Sequence, residues 1–224
     1  MSEILKKVKG SGLPVAVYYK TGGAFCAGFV KEADDEFVCM QFLSPSGRHD
    51  GWHCIRIEEI LKIDFGSAYL FDLNRVYNYY DEKIVEPKIS RNNVLASFID
   101  VAIKQKWLCT LEIGFESLQK ISGYPVARDW NTVEMRLIDE SGKDDGYTSF
   151  DVDEIVYVGA QSELEEYLTL LRKLNEEEEK ARRLKVSDKK SGETQKKDKK
   201  EAQTEDDKNE KKDEKNVLSF PFGK

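Results

Sequence analysis

The sequence has few of the side chains that catalytic and metal sites require. It contains two histidines, His49 and His53, and four cysteines without a C-x-x-C pair. It also lacks a G-x-S-x-G motif and a glycine-rich phosphate-binding loop. Because nucleophilic catalysis, zinc binding and nucleotide binding depend on such groups, the sequence predicts a protein that is not an enzyme and has no catalytic residues.

The cysteine pattern also argues against a metal site. His53 and Cys54 are neighbours on a predicted strand, so the alternation of side chains places them on opposite faces. A tetrahedral zinc site that joins both of them to Cys26 and Cys39 is therefore disfavoured, and we expect structural thiols, no metal and no cofactor. Without a dense cysteine framework, a reduced intracellular protein is expected.

Long apolar runs are absent as well. No run approaches the roughly 18 apolar residues that are needed to cross a membrane, and residues 1–7 lack the apolar core of a signal peptide. These absences predict a soluble, cytoplasmic protein without membrane contact. The net charge is −7, and the acidic excess lies in residues 1–160. Such a body repels phosphate and disfavours non-specific binding of nucleic acid.

What the chain does have is an internal repeat. Residues 13–63, moved forward by 95 positions, align without a gap with residues 108–158 and give eleven identities in 51 pairs. The repeat indicates two copies of one small fold. The matches fall on residues that shape the backbone, namely Gly28 with Gly123 and the tight-turn dipeptide Asp50-Gly51 with Asp145-Gly146.

Each copy has the pattern of one helix followed by about five short strands. Apolar residues recur at helical spacing from Val94 to Ile103, and Ile4, Leu5 and Val8 form a shorter equivalent. A glycine inside the second strand of each copy predicts a sharp bend. We therefore predict a mainly β protein with flanking helices, built from two tandem small (SH3-type) five-stranded bent barrels. A generic SH3-like half-barrel is the alternative.

The predicted boundaries follow this pattern along the chain. They comprise a first barrel with flanking helices (1–80), a linker (81–91), a second barrel with its following helix (92–175), a charged helical extension (176–185) and a disordered charged tail (186–224). The tail ends in an apolar tip that could dock into a partner groove through Leu218, Phe220 and Phe222. A frayed terminus without a role is the alternative.

Two short motifs of the first copy resemble those of the Sm/LSm family of RNA-associated proteins. The family motif G-x-L-x-x-x-D-x-x-M-N is matched from Gly28 to Val38, with the glycine, an apolar residue and Asp34 in place. The family motif I-R-G-x-x-I-x-x-I is approximated by residues 55–63. The resemblance covers residues 1–65 and, more weakly, 92–160. It implies an N-terminal helix followed by a five-stranded, strongly bent antiparallel barrel.

The resemblance also implies a site for uridine. The family stacks a base between two side chains and hydrogen-bonds it to the motif asparagine, whose position holds Val38 here. Phe37 occupies the methionine position, where it could stack a base, and Arg56 matches the motif arginine. Ile57 replaces the glycine that follows this arginine. An alternative register places Ile63-Asp64 at the arginine position instead.

Two functions from different classes follow from these observations. The first is a protein-interaction or assembly module that binds a protein partner, or self-associates, through barrel edges, as the barrels of the resembled family do. A tandem chain would either supply two positions of a ring or satisfy both edges internally. The second is RNA binding through Phe37 and Arg56, assisted by the lysines of the tail. The acidic body favours the first function.

Overall fold

The computed structural model of this chain describes residues 1–19, 25–114 and 119–183. The chain divides into two compact units, Met1–Lys173 and Leu174–Lys224. In the second unit the described residues, 174–183, are helical. The predicted tail and its candidate docking residues Leu218, Phe220 and Phe222 lie outside the described residues.

The first half of the larger unit begins with a helix and continues with five strands and a second helix. Its elements are α1 (Ser2–Lys9), β1 (Val15–Tyr19), β2 (Phe25–Ala33), β3 (Phe37–Leu43), β4 (His49–Arg56), a 3-10 turn (Ile57–Glu59), β5 (Ile60–Phe65) and α2 (Ala68–Tyr80). Residues 81–93 then connect the halves without helix or strand.

The second half repeats this order. Its elements are α3 (Val94–Gln105), β6 (Cys109–Ile113), β7 (Gln119–Arg128), β8 (Thr132–Ile138), β9 (Asp144–Asp151), a 3-10 turn (Val152–Glu154) and β10 (Ile155–Ala160). A last helix, α4, covers residues 163–183. The last three strands of each half, with the 3-10 turn between the fourth and fifth strands, match residue for residue. Moving β3, β4, the first 3-10 turn and β5 forward by the repeat spacing gives the bounds of β8, β9, the second 3-10 turn and β10.

Backbone irregularities repeat with the same spacing. The β2–β3 ladder shifts register between Val30 and Glu32, and the β7–β8 ladder shifts at the equivalent place, between Pro125 and Ala127. A bulge bends a strand and increases its twist. The two halves are therefore bent at the same place, next to the repeated glycine of the second strand.

The Asp-Gly dipeptides require one correction. Gly51 and Gly146 have φ of 87° and 84°, so glycine is required there as the sequence predicts. However, both residues lie inside strands β4 and β9. In the first half the chain instead reverses over residues 44–48, where Gly47 has φ of 78° and the Ser44 N–H donates to the Arg48 carbonyl.

All ten strands belong to one antiparallel sheet. The strand order is β5-β1-β2-β3-β4-β10-β6-β7-β8-β9, so each half contributes five consecutive strands. The prediction of a mainly β chain with flanking helices is confirmed. The two separate five-stranded barrels are not confirmed, because β4 pairs with β10 of the other half and the sheet does not close.

Helices cover both faces of this sheet. Leu5 of α1 packs on one face of the first half with Val15, Val17 and Met40, while Leu70 and Leu73 of α2 pack on the other. In the second half α3 takes the place of α1. Leu168 of α4 packs with Leu108 and Ile138, as α2 does in the first half. β5 and β9 are the end strands of the sheet among the described residues.

Candidate functional site

The junction between the halves is formed by strand pairing and by a shared core. β4 and β10 are antiparallel, with Cys54 opposite Val158 and Trp52 opposite Ala160. Helix α3 packs over both halves here. The buried residues of this junction core are Phe37, Cys39, Trp52, Cys54, Val94, Leu95, Phe98, Ile99, Ala102, Cys109, Leu111, Val133, Met135, Ile155, Val158 and Ala160.

The two residues of the predicted RNA site meet at this junction. The Arg56 guanidinium lies 4.6 Å from the centre of the Phe37 ring. Arg56 Nε donates to the carbonyl of Ile155 at 3.0 Å, and Nη2 donates to the carbonyl of Asp153 at 2.8 Å. The Phe37 side chain is part of the junction core. Both residues therefore have contacts within the chain that join one half to the other.

Asp34, the acidic residue of the first Sm-like motif, also acts at this junction. Its Oδ1 accepts hydrogen bonds from the N–H groups of Glu36 and Phe37 in the turn before β3. Its Oδ2 accepts from the N–H of Val94 at 2.7 Å, at the first residue of α3. A carboxylate there satisfies a free helical N–H and interacts favourably with the helix dipole.

The equivalent residue of the second half, Asp129, makes the same turn. Its Oδ1 accepts from the N–H groups of Asn131 and Thr132, and these bonds lower the pKa of its carboxyl group. Asp129 lies between β7 and β8, as Asp34 lies between β2 and β3, and it lines a cavity beside the first turn of α3. Because Asp34 and Asp129 form the same turn, the turn is a property of each repeat. The hydrogen bond of Asp34 to the N–H of Val94 is an additional contact, which it makes at the junction.

An open cavity of about 360 Å³ adjoins the Phe37–Arg56 pair and is also lined by Asn92, Asn93 and Trp130. The Trp130 side chain is 93% exposed. A second cavity, of about 500 Å³, shares Asn93 and Trp130 with the first. The sequence analysis did not single out Trp130. The signal was present, because Trp130 is the repeat equivalent of Asp35, and an aromatic residue in place of an acidic one is unusual in such a turn.

A buried polar group, His53, lies in the β4–β10 ladder opposite Gly159. Its Nε2 is 2.7 Å from the carbonyl oxygen of Asp50, its Nδ1 contacts the Tyr157 hydroxyl, and its ring stacks on Phe42. Burial lowers the pKa of the imidazole below its usual value of 6.5. The neutral imidazole is therefore the form that the folded junction accommodates.

This burial predicts a loss of stability in mild acid. Because the folded-state pKa of His53 is lowered, its contribution is fully present above pH 6.5 and decreases as the pH falls below that value. One proton gives a slope of at most about 1.4 kcal/mol per pH unit in the free energy of unfolding. Urea denaturation between pH 7.5 and about 5 measures this slope.

Replacing the imidazole should reduce that pH dependence. His53→Gln keeps a hydrogen-bonding side chain that does not titrate, so the slope is expected to decrease. His49→Gln serves as the comparison, because burial lowers the pKa of His49 as well but its side chain is less buried than that of His53. An unchanged slope in His53→Gln would show that this group does not carry the effect.

All four cysteines are free thiols. Cys39, Cys54 and Cys109 are buried and free, and Cys26 is half-buried and free. Burial raises the pKa of the Cys39 thiol to about 12, which keeps it protonated and unreactive. Among the described residues, no group of three or more His, Cys, Asp or Glu side chains is arranged to hold a metal ion.

The ends of the sheet are strands β5 and β9. Within residues 1–19, 25–114 and 119–183, no strand pairs with the outer side of either one. On β5 the side chains of Leu61 and Phe65 are 59% and 64% exposed. At the other end, Tyr147 on β9 is 75% exposed. Large apolar side chains therefore stand beside unpaired backbone N–H and C=O groups at both ends.

Helix α2 carries exposed aromatic side chains from the β5 end, where it begins, toward the β3–β4 turn, where Tyr80 lies over Arg48. It follows β5 after a connection of two residues, Gly66 and Ser67, and the Ser67 side chain caps it by accepting from the N–H of Leu70. Leu70 and Leu73 face the sheet. The exposed large side chains of the helix are Tyr69, Phe71, Val76, Tyr79 and Tyr80.

Comparison of the chain with protein-family models, with curated proteins and with solved structures finds no match. The Sm/LSm resemblance of the motifs therefore stays a prediction, and the functional argument depends on the geometry of this chain. Within the described part of the chain, no helix combines the length and the apolar composition that a membrane span requires.

Proposed function

We propose that the protein is a non-enzymatic interaction module in which two Sm-like units are joined edge to edge and the outer β5 edge receives a strand from a protein partner. One observation carries the proposal. Leu61 and Phe65 are exposed on β5, whereas their repeat equivalents on β10, Val156 and Ala160, are buried at 5% and 0% exposure. β10 has β4 as its neighbour, and β5 keeps the same kind of apolar edge without one.

Strand addition uses the groups that this edge offers. The unpaired N–H and C=O groups of an edge strand give affinity, and side chains at alternate positions give specificity. Natural proteins usually protect such edges with charged residues or a covering element. On β5 the charged Lys62 and Asp64 pair with each other, while Leu61 and Phe65 remain apolar and exposed. An edge of this kind is typical of a binding strand.

The proposal predicts that polar substitutions on β5 remove a bound partner. The test is the double variant Leu61→Asp/Phe65→Asp. A protein that the wild-type chain captures from native cells is expected to be absent from the proteins that this variant captures. Binding should fall by about a hundredfold or more, because burying a carboxylate at the contact is costly. Quantitative mass spectrometry of the captured proteins measures the loss. Hydrogen exchange of the β5 amides should slow in the complex.

Val85→Asp is the matched control, because Val85 is 88% exposed and lies in the connection between the halves. This variant is expected to retain the partner. Identical capture by the edge variant and by the control, or unchanged exchange of the β5 amides in the complex, would contradict the proposal.

RNA binding is a second candidate, favoured by the cavity beside Phe37 and Arg56. Trp130 and the two asparagines could stack and hydrogen-bond an unpaired base there. Asp34, Asp35, Glu36 and Asp153 also line this cavity, and their charge opposes a phosphate backbone.

Titration with U-rich RNA at two salt concentrations tests this candidate. A base-binding site predicts binding that is lost in Trp130→Ala and kept in Tyr79→Ala, an aromatic residue that is 85% exposed on α2. Equal binding by the two variants would contradict a site at this cavity.

A further inference from the structure

Strand β5 has a self-complementary sequence. It reads Ile60-Leu61-Lys62-Ile63-Asp64-Phe65. Lys62 and Asp64 lie on one face, where their side chains form an ion pair at 2.9 Å. Ile63 and Phe65 lie on the other face. Leu61 lies at a register shift of the β1–β5 ladder and has no opposite residue on β1. The sequence of the strand is therefore symmetric in character around Ile63. Its two neighbours are the oppositely charged Lys62 and Asp64, and the next residues on either side are the apolar Leu61 and Phe65.

This symmetry has a consequence for antiparallel pairing. If Ile63 lies opposite Ile63 of a second copy, Lys62 faces Asp64 of that copy and Leu61 faces its Phe65. Cross-strand pairs of opposite charge and pairs of apolar side chains both stabilise a sheet. A two-fold axis repeats every contact, since the same patch is used on both sides.

We propose that the partner of the β5 edge is a second copy of this chain, paired antiparallel through β5 with Ile63 on the two-fold axis. This inference rests on the proposed function and names its occupant. The pairing joins the two ten-stranded sheets into one and brings the exposed faces of Leu61 and Phe65 of both copies together. It leaves β9 as the edge at each end of the dimer.

The opposite edge does not offer β5 the same contacts. If the β4–β10 register is carried over to β5 and β9 of another copy, Ile63 faces Ser149, and Lys62 and Asp64 face Phe150 and Thr148. This register adds no cross-strand partner of opposite sign to the Lys62–Asp64 ion pair. The β5–β5 register adds such a partner for each of the two charges.

The end that carries β9 has also lost the groups that make the internal junction. Asp151 stands where Arg56 donates to two carbonyl groups of the neighbouring half, and a carboxylate cannot donate those bonds. Thr132 and Glu134 replace the buried Phe37 and Cys39 of the junction core. A continuing head-to-tail chain of copies is therefore disfavoured, whereas a closed pair through β5 uses no β9 contact.

Sedimentation analysis of the full chain with two charge variants tests the pairing. Lys62→Glu places a carboxylate opposite Asp64 of the second copy, and Asp64→Lys places an ammonium group opposite its Lys62. Each variant alone is expected to dimerise about tenfold more weakly than the wild type, because both symmetric pairs become like-charge pairs. An equimolar mixture of the two is expected to restore wild-type strength as a heterodimer, since every pair then joins opposite charges.

Tyr147→Ala is the control at the other edge and is expected to leave the dimer unchanged. A wild-type chain that stays monomeric, a mixture that associates no better than its components, or a dimer that Tyr147→Ala weakens would each overturn the inference. The proposed function survives these results if Leu61→Asp/Phe65→Asp still loses a captured protein partner. The proposed function and the inference both fail if Leu61→Asp/Phe65→Asp changes neither the self-association of the chain nor the capture of a protein partner.

Discussion

Replacing Gly28 by alanine is expected to destabilise the protein by about 3 kcal/mol or more, which is in the range that backbone overpacking produces. A Cβ at this position would lie 2.0 Å from the carbonyl oxygen of Gln41 on the neighbouring strand. That distance is far below contact, and the obstacle is backbone rather than a movable side chain. Urea denaturation followed by circular dichroism measures the change in the free energy of unfolding.

Two further glycine variants make this prediction specific. Gly123→Ala repeats the change in the second half, where the Cβ would lie 2.3 Å from the carbonyl oxygen of Arg136, and a similar loss is expected. Gly10→Ala is the control, because the nearest atom is at 3.6 Å, and its effect should stay within about 0.5 kcal/mol. Equal stability of all three variants would show that the repeated glycines do not shape the sheet.

Trp52→Ala is expected to cost about 3–5 kcal/mol, the usual range for deleting a buried aromatic side chain. Trp52 is fully buried at 0% exposure and lies on β4 opposite Ala160 of β10. The substitution therefore opens a cavity in the core that both halves share. Loss of stability should appear in one cooperative transition, since the junction core contains residues of both halves.

The repeat supplies a matched control for this substitution. Tyr147 is the equivalent residue in the second half and is 75% exposed at the outer edge. Tyr147→Ala is therefore expected to change the free energy of unfolding by no more than about 0.5 kcal/mol. Comparable losses in the two variants would mean that the halves are related in a different way from the β4–β10 pairing.

Much of the fold could be predicted from the sequence, because local geometry determines it. Gly28 and Gly123 require a close approach of two strands, and Asp34 and Asp129 form the same turn through short-range hydrogen bonds. Such constraints act over a few residues and survive in both copies. They indicate the turns and bends of each half, while the apolar spacing from Val94 to Ile103 indicates its helix.

The joining of the halves could not be predicted in the same way. Alternation assigns the faces of β4, but it does not say whether the edge of that strand pairs within its own half or with β10. The choice depends on the combined burial of Phe37, Trp52 and α3, which are distant in sequence. The repeat pattern therefore predicts two bent barrels and leaves open whether their edges pair with each other.

The candidate RNA residues illustrate the same limit. Phe37 and Arg56 match a motif by position, and the structure does bring them together. Their internal contacts depend on Asp153 and Ile155 of the other half, which no motif of the first copy contains. Trp130 was missed because exposure of a turn residue is a property of the folded surface.

The continuous sheet with open β5 and β9 edges is the central claim, and NMR contacts between backbone protons of neighbouring strands test it most directly. Contacts are expected between β4 and β10 in the register that joins Trp52 with Ala160 and Cys54 with Val158. Contacts that instead join β4 to β5 and β9 to β10, closing each half on itself, would contradict it.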